Sequence, residues 1–210
     1  APDTAIDTNE SDPGGNFISL DRIMHQVALN EFNAAFPKID FKGTTLVKDK
    51  NGKPHLIYED VNGNRQSVVK EDGTSDWKFL EGFVNDDQIF AGNENPVVYL
   101  TQSMYDSGGN LITNTKEALE RMTEVAFHEA IGHAGLRDML NAGEMIEAIT
   151  DENGKITNKN EYQRWTGEPY NNFIDGFWNR HSKMIKKWVN NGGHDYLGQT
   201  TFRQAEEFIA

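Results

Sequence analysis

Cysteine is absent from the 210-residue chain, so disulfide frameworks, thiolate metal sites and cysteine nucleophiles are excluded together. Any metal has to be held by histidine and carboxylate groups. Positive charge is scarce: 20 Lys and Arg stand against 33 Asp and Glu, for a net charge of −13. Phosphate affinity rests on Lys and Arg, which argues against a nucleic-acid partner and equally against anionic lipid headgroups. No run approaches the roughly 18 consecutive apolar residues of a membrane span, so a soluble protein with no membrane partner is expected. The G-x-S-x-G elbow and the G-x-x-x-x-G-K-[ST] phosphate loop are missing too. Hydrophobic residues amount to 37% and aromatics to 10%, enough for the core of one domain.

The first residue is Ala1 rather than Met, and Ala1 to Asn16 is polar. That stretch reads as a disordered or extended arm, as left by a removed export signal or a propeptide cut. A processed, secreted chain is the expectation. Residues 17–210 then read as a single domain. From Ser19 to Phe36, Ile23, Met24, Val27, Ala28, Phe32 and Ala35 recur at helical spacing, and Pro37 marks the stop. Strand-like runs at Thr44–Lys48, His55–Glu59 and Gln66–Val69 are joined through Asn51-Gly52 and Asn62-Gly63, dipeptides suited to tight hairpins. Asp72 to Asn95 is turn-rich. Val97-Val98-Tyr99-Leu100 reads as a further strand, placed at a sheet edge where an extended peptide could pair. Thr113 and Asn114 open a long helix reaching about Leu140, and helical patterns recur near Asn171–Val189 and Thr201–Ala210. The sum is an α+β fold: a small antiparallel sheet, formed by the meander and the edge strand, packed on helices.

Asp151-Glu152-Asn153-Gly154-Lys155-Ile156 has the centre of a calcium-binding loop. Counting outward from Gly154, the two end ligands fall on Ile149 and Asn160, so a plain hairpin is the better reading.

The informative segment is Glu124 to Leu136. On a helix turning about 100° per residue, Ala118, Leu119, Met122, Val125 and Ala126 make an apolar stripe whose middle is continued by Glu129 and His133. A carboxylate and an imidazole there must be paired, protonated or metal-bound to offset their burial. His128 and Glu129 begin an H-E-x-x-x-H pattern ending at His133, one residue longer than the H-E-x-x-H of zinc peptidases. On a regular helix the two imidazoles would diverge by about 140°. A π-bulge between them restores a shared face, and Gly132 lies where the distortion is needed. With 6 His in the chain, chance supplies about 0.01 such matches.

His128-Glu129-Ala130-Ile131-Gly132-His133 resembles the H-E-x-x-G-H signature of the dipeptidyl-peptidase III family of zinc peptidases. The ending Glu206-Glu207-Phe208-Ile209-Ala210 is similar to the first five residues of that family's downstream E-E-x-x-A-E helix. The resemblance implies His128, His133 and Glu207 as zinc ligands and Glu129 as general base. It covers these two short segments of a much shorter chain. The segment His128 to Leu136 also resembles zincin-like domains of phage and mobile-element polyproteins, which implies a parent polyprotein or a virion assembly as partner and location.

Read from the residues alone, the third ligand stays open. A catalytic zinc keeps three protein ligands and one open position. Glu206 and Glu207, adjacent on one helix, diverge by about 100°, so one can face inward while the other is wet. On that reading Glu206→Ala is mild. Glu144 and Glu147, suited to a second helix folding straight back, are alternatives, as are His181, Asp175 and His194. His194 and Tyr196, after Gly192-Gly193, are candidate catalytic donors to an oxyanion. His25 and His55 lack a motif and read as surface residues. The expectation is a zinc-dependent metallopeptidase hydrolysing peptide bonds in a peptide or protein substrate. The alternative is a non-catalytic structural or binding component with a vestigial or structural metal site.

Overall fold

The computed structural model describes residues 4–5, 18–48, 54–60, 62–68, 80–84, 95–191 and 196–210. They divide into two compact units, Ala1–Glu129 and Ala130–Ala210, and the fold is an α+β mixture, as the sequence predicts. Among the described residues no helix is long and apolar enough to cross a membrane.

In the first unit, Thr4–Ala5 (β1), Thr45–Lys48 (β3), Pro54–Glu59 (β4) and Arg65–Ser67 (β5) form one sheet in the order β1-β3-β4-β5. All its pairs are antiparallel, with Leu46 opposite Leu56 and Tyr58 opposite Gln66. The predicted meander is therefore present. Its second turn uses Gly63 at φ 79°, a conformation glycine adopts without a Cβ penalty. The first turn, at Asn51-Gly52, lies outside the described residues, as does most of the 1–16 arm.

A second sheet comprises Asp40–Gly43 (β2), Gly82–Val84 (β6) and Val97–Leu100 (β7), in the order β2-β7-β6. β2 runs parallel and β6 antiparallel to β7. This corrects the expectation of an edge strand. β7 is the central strand, flanked on both sides, and all four of its side chains are buried. An unbroken apolar run is the pattern of a strand covered on both faces, and such a strand has no open edge for a peptide. Stacked Phe83 and Tyr99, with Tyr58 edge-on to both, pack over it.

Helix Arg22–Ala35 (α1) is capped by Asp21, whose carboxylate accepts the Met24 amide at 2.8 Å. Its inward face is His25, Ala28 and Leu29, while Ile23 and Val27 stand 69% and 46% exposed. His25 is thus a core residue, not the surface residue expected. Its Nε2–H donates to the Leu100 carbonyl at 3.1 Å, and burial lowers its pKa to about 4 despite hydrogen bonds to the Leu100 and Thr101 backbone. The His55 side chain lies outside the described residues.

A depressed folded pKa stabilises the fold above the unfolded value of about 6.5, and that contribution is lost as pH falls through 4. The span is worth about 3 kcal/mol at most. Urea unfolding at pH 7 and pH 4.5 is expected to show this loss, and His25→Gln, which keeps a donor for Leu100, is expected to flatten it. Equal slopes in the two proteins would remove His25 as the cause.

In the second unit, Leu136–Met139 (α3) is capped by Leu140, and Asn141 follows at φ 50°. Residues 140–167 form turns and isolated bridges, Met145 with Trp165 and Thr150 with Ile156, rather than a helix folding straight back. At the second bridge the Asp151 carboxylate accepts the amides of Asn153 and Lys155, closing the hairpin. Glu168–Asn191 (α4) has Pro169 in its first turn, where the missing amide costs nothing. Thr200 caps Thr201–Ile209 (α5). Trp165, Tyr170, Ile174, Ile185, Val189, Phe202 and Ala205 make the core between α4 and α5.

Candidate metal centre

Asn114 caps Thr115–Phe127 (α2) by accepting the amides of Lys116 and Glu117, and the helical path continues into His128–Gly135, which is π-helical. The distortion demanded by the H-E-x-x-x-H spacing is therefore real. It spans eight residues, longer than the single bulge predicted. A five-residue repeat of hydrogen bonding places residues five apart on one face, as His128 and His133 require. Gly132 has a second reason to be glycine: a Cβ there would collide with the Cα and Cβ of Ala210. The boundary between the units falls at Glu129–Ala130, inside this one segment.

Among the described residues, His128, His133 and Glu207 form a group whose ligand atoms all lie within 4.8 Å of one another. Such a group can hold a metal ion. His133 Nε2 stands 3.5 Å from Glu207 Oε2, with both side chains buried. A charge-assisted hydrogen bond is typically 2.7–2.9 Å, whereas two ligands of a tetrahedral ion with bonds of about 2.1 Å stand about 3.4 Å apart. The donor set and this separation both fit a metal ion. Glu129, mostly buried, has Oε1 3.9 Å from His128 Nε2, beside the group without belonging to it.

Both adjacent glutamates are buried, Glu206 at 2% and Glu207 at 6% exposure. This overturns the expectation that one of them is wet. The 100° divergence is real, but each carboxylate meets its own set of buried donors. Glu206 Oε1 accepts from Arg137 Nε and Nη2, Trp165 Nε1 and the Tyr170 hydroxyl at 2.7–3.2 Å. Its Oε2 accepts from Arg203 Nη1 at 2.6 Å. Burial raises the Glu206 pKa, but Arg137 and Arg203 outweigh it and bring it down to about 2. Arg203 Nη2 also holds Glu207 Oε1 at 2.8 Å, and the Tyr196 hydroxyl donates to Glu207 Oε2 at 2.9 Å. Burial raises Glu207 likewise, and His133, Arg203 and Tyr196 bring it to about 2. Both carboxylates are thus ionised at neutral pH.

Arg137 was missed by sequence reasoning. Its guanidinium lies 4.4 Å over the Trp165 ring, with Nη2 3.4 Å from His133 Nδ1. Arginine offers donors only, so this long contact favours the tautomer with Nδ1 unprotonated. An ion on Nε2 places the proton on Nδ1, and the contact must then open. The available signal was spacing: Arg137 is one turn beyond His133, and Arg203 is one turn before both glutamates.

The other candidates lie elsewhere. Asp175 pairs with Arg164 at 2.6 Å, His181 packs against the Phe177 ring, and Glu144 and Glu147 are exposed in the 140–167 loop. Tyr196 reaches Glu207 directly and stacks on Trp188. His194 lies outside the described residues. Comparisons with protein-family models, curated proteins and solved structures give no match to this chain.

Proposed function

We propose that the chain is a zinc-dependent metallopeptidase, with His128, His133 and Glu207 as ligands and a peptide or protein as substrate. The observation that carries this reading is the convergence of three ligand atoms within 4.8 Å, two from a π-helical segment and one from α5, with the Glu129 carboxylate alongside. Zinc, when bound, supplies a Lewis acid that polarises a scissile carbonyl and acidifies water. Glu129 accepts the proton of the attacking water and hands it to the leaving amine. Tyr196 holds Glu207 in place through its hydroxyl. A second reading, a structural or binding component, is favoured by the full set of protein donors on Glu207, which braces the fold whether or not an ion is present.

Glu129→Gln separates the two. Peptide hydrolysis is expected to fall by about 10²–10⁴-fold, with zinc stoichiometry by elemental analysis unchanged. Loss of zinc from that variant would make Glu129 a ligand. Wild-type protein that holds zinc and cleaves no peptide would leave only the structural reading.

A further inference from the structure

The geometry points to Arg203 as a positioning residue that restricts Glu207 to one-oxygen coordination and so keeps the metal site four-coordinate. This rests on the metal reading above. Arg203 lies three and four residues before Glu206 and Glu207 on α5, so its planar fork reaches both carboxylates at once. Nη1 meets Glu206 Oε2 at 2.6 Å and Nη2 meets Glu207 Oε1 at 2.8 Å. The first of these contacts anchors the fork. Glu206 cannot swing, because its other oxygen is held by Arg137, Trp165 and Tyr170.

With one guanidinium nitrogen anchored, the second holds Glu207 Oε1 and leaves Oε2 as the oxygen that faces His133. A two-oxygen carboxylate ligand needs both atoms on the ion, and Arg203 opposes that by keeping Oε1. Two imidazoles and one carboxylate oxygen make three protein donors, the number that leaves a tetrahedral ion one open position. Without Arg203, Glu207 is able to rotate and add its second oxygen. The coordination number then rises, and the site favours ions that take more oxygen ligands.

Cobalt(II) is the probe, because its visible absorption is several-fold more intense in four-coordinate than in five- or six-coordinate sites. Metal-depleted wild-type protein is titrated with cobalt(II) beside Arg203→Met, which keeps the apolar stem and removes the fork. Wild type is expected to bind one equivalent with intense bands, and Arg203→Met one equivalent with bands several-fold weaker. Arg203→Lys, a point charge that cannot grip both carboxylates, is expected to fall between them. Should Arg203→Met fail to fold, Arg203→Lys carries the same test, because it keeps a positive charge beside Glu206 and Glu207 and removes the fork. A variant spectrum identical to wild type at equal stoichiometry overturns the role of Arg203 while leaving the metal site intact. Wild type that binds no cobalt(II) or zinc overturns the metal reading itself.

Discussion

Replacing Glu206 with alanine is expected to destabilise the Ala130–Ala210 unit by about 3–5 kcal/mol, the range for breaking a buried ion pair by removing one partner. The cost comes from what remains. Five donor groups on Arg137, Trp165, Tyr170 and Arg203 converge on this one carboxylate, and alanine orphans them inside the core. Arg137 is left with its face on Trp165 and its edge toward His133, both weaker partners than a carboxylate. Arg203 keeps Glu207. Glu206→Gln still accepts from Tyr170 and Trp165 but leaves the guanidinium charge uncompensated, so an intermediate loss is expected. Urea unfolding reads the effect as a lower midpoint at unchanged slope. The double variant Glu206→Ala with Arg137→Met is expected to be less destabilised than the sum of its parts, because each single change strands the other's charge. A loss below about 1 kcal/mol for Glu206→Ala would mean that water replaces the carboxylate, and the buried network would not be what holds α5.

Elements carried by local chemistry were legible. Asn114 opens its helix and the H-E-x-x-x-H spacing demands the π distortion, because capping and periodicity act over a few residues. The meander follows from the same kind of signal, with Asn62-Gly63 supplying a turn. β2 and β6 give no clear strand signal in the sequence. Asp40-Phe41-Lys42-Gly43 and Gly82-Phe83-Val84 are short, are diluted by the strand-poor residues Asp, Lys and Gly, and become strands by pairing with β7, more than 50 residues away from β2 and more than a dozen from β6 along the chain. The central place of β7 was legible in principle, since four apolar residues in a row do not alternate.

The inner face of α1 differs in phase from its apolar pattern. Counting apolar residues selected Ile23 and Val27, which face out, and passed over His25, whose polar tip is satisfied by the Leu100 carbonyl. The same limit applied at the candidate metal centre. Residue types and spacing pair His128 with His133, the resemblance alone implies Glu207, and the structure brings the three ligand atoms together. What they could not give was the environment of Glu206, which depends on Trp165 and Tyr170 from the loop and helix between the two motifs.

Glu207→Ala is expected to lower zinc affinity by orders of magnitude, beyond the roughly 10–100-fold that follows loss of a residue merely supporting a ligand. Removing this carboxylate leaves two imidazoles, too few protein donors for a stable catalytic zinc. The change is cleaner than cutting away residues 201–210. That truncation also takes Glu206 and Phe202 out of the core, and its loss of metal would report unfolding. In Glu207→Ala, by contrast, Arg203 keeps its 2.6 Å contact to Glu206, so the metal-free fold should lose far less than in Glu206→Ala. Linkage supplies a readout independent of activity. On the proposed metal reading, zinc at about 1,000 times its dissociation constant adds about 4 kcal/mol to the wild type, so a chelator is expected to lower the wild-type unfolding midpoint and to leave Glu207→Ala unmoved. His133→Ala should behave as Glu207→Ala does. If chelation shifted neither protein, or shifted both equally, the cluster of His128, His133 and Glu207 would be a set of ion pairs and hydrogen bonds and nothing more.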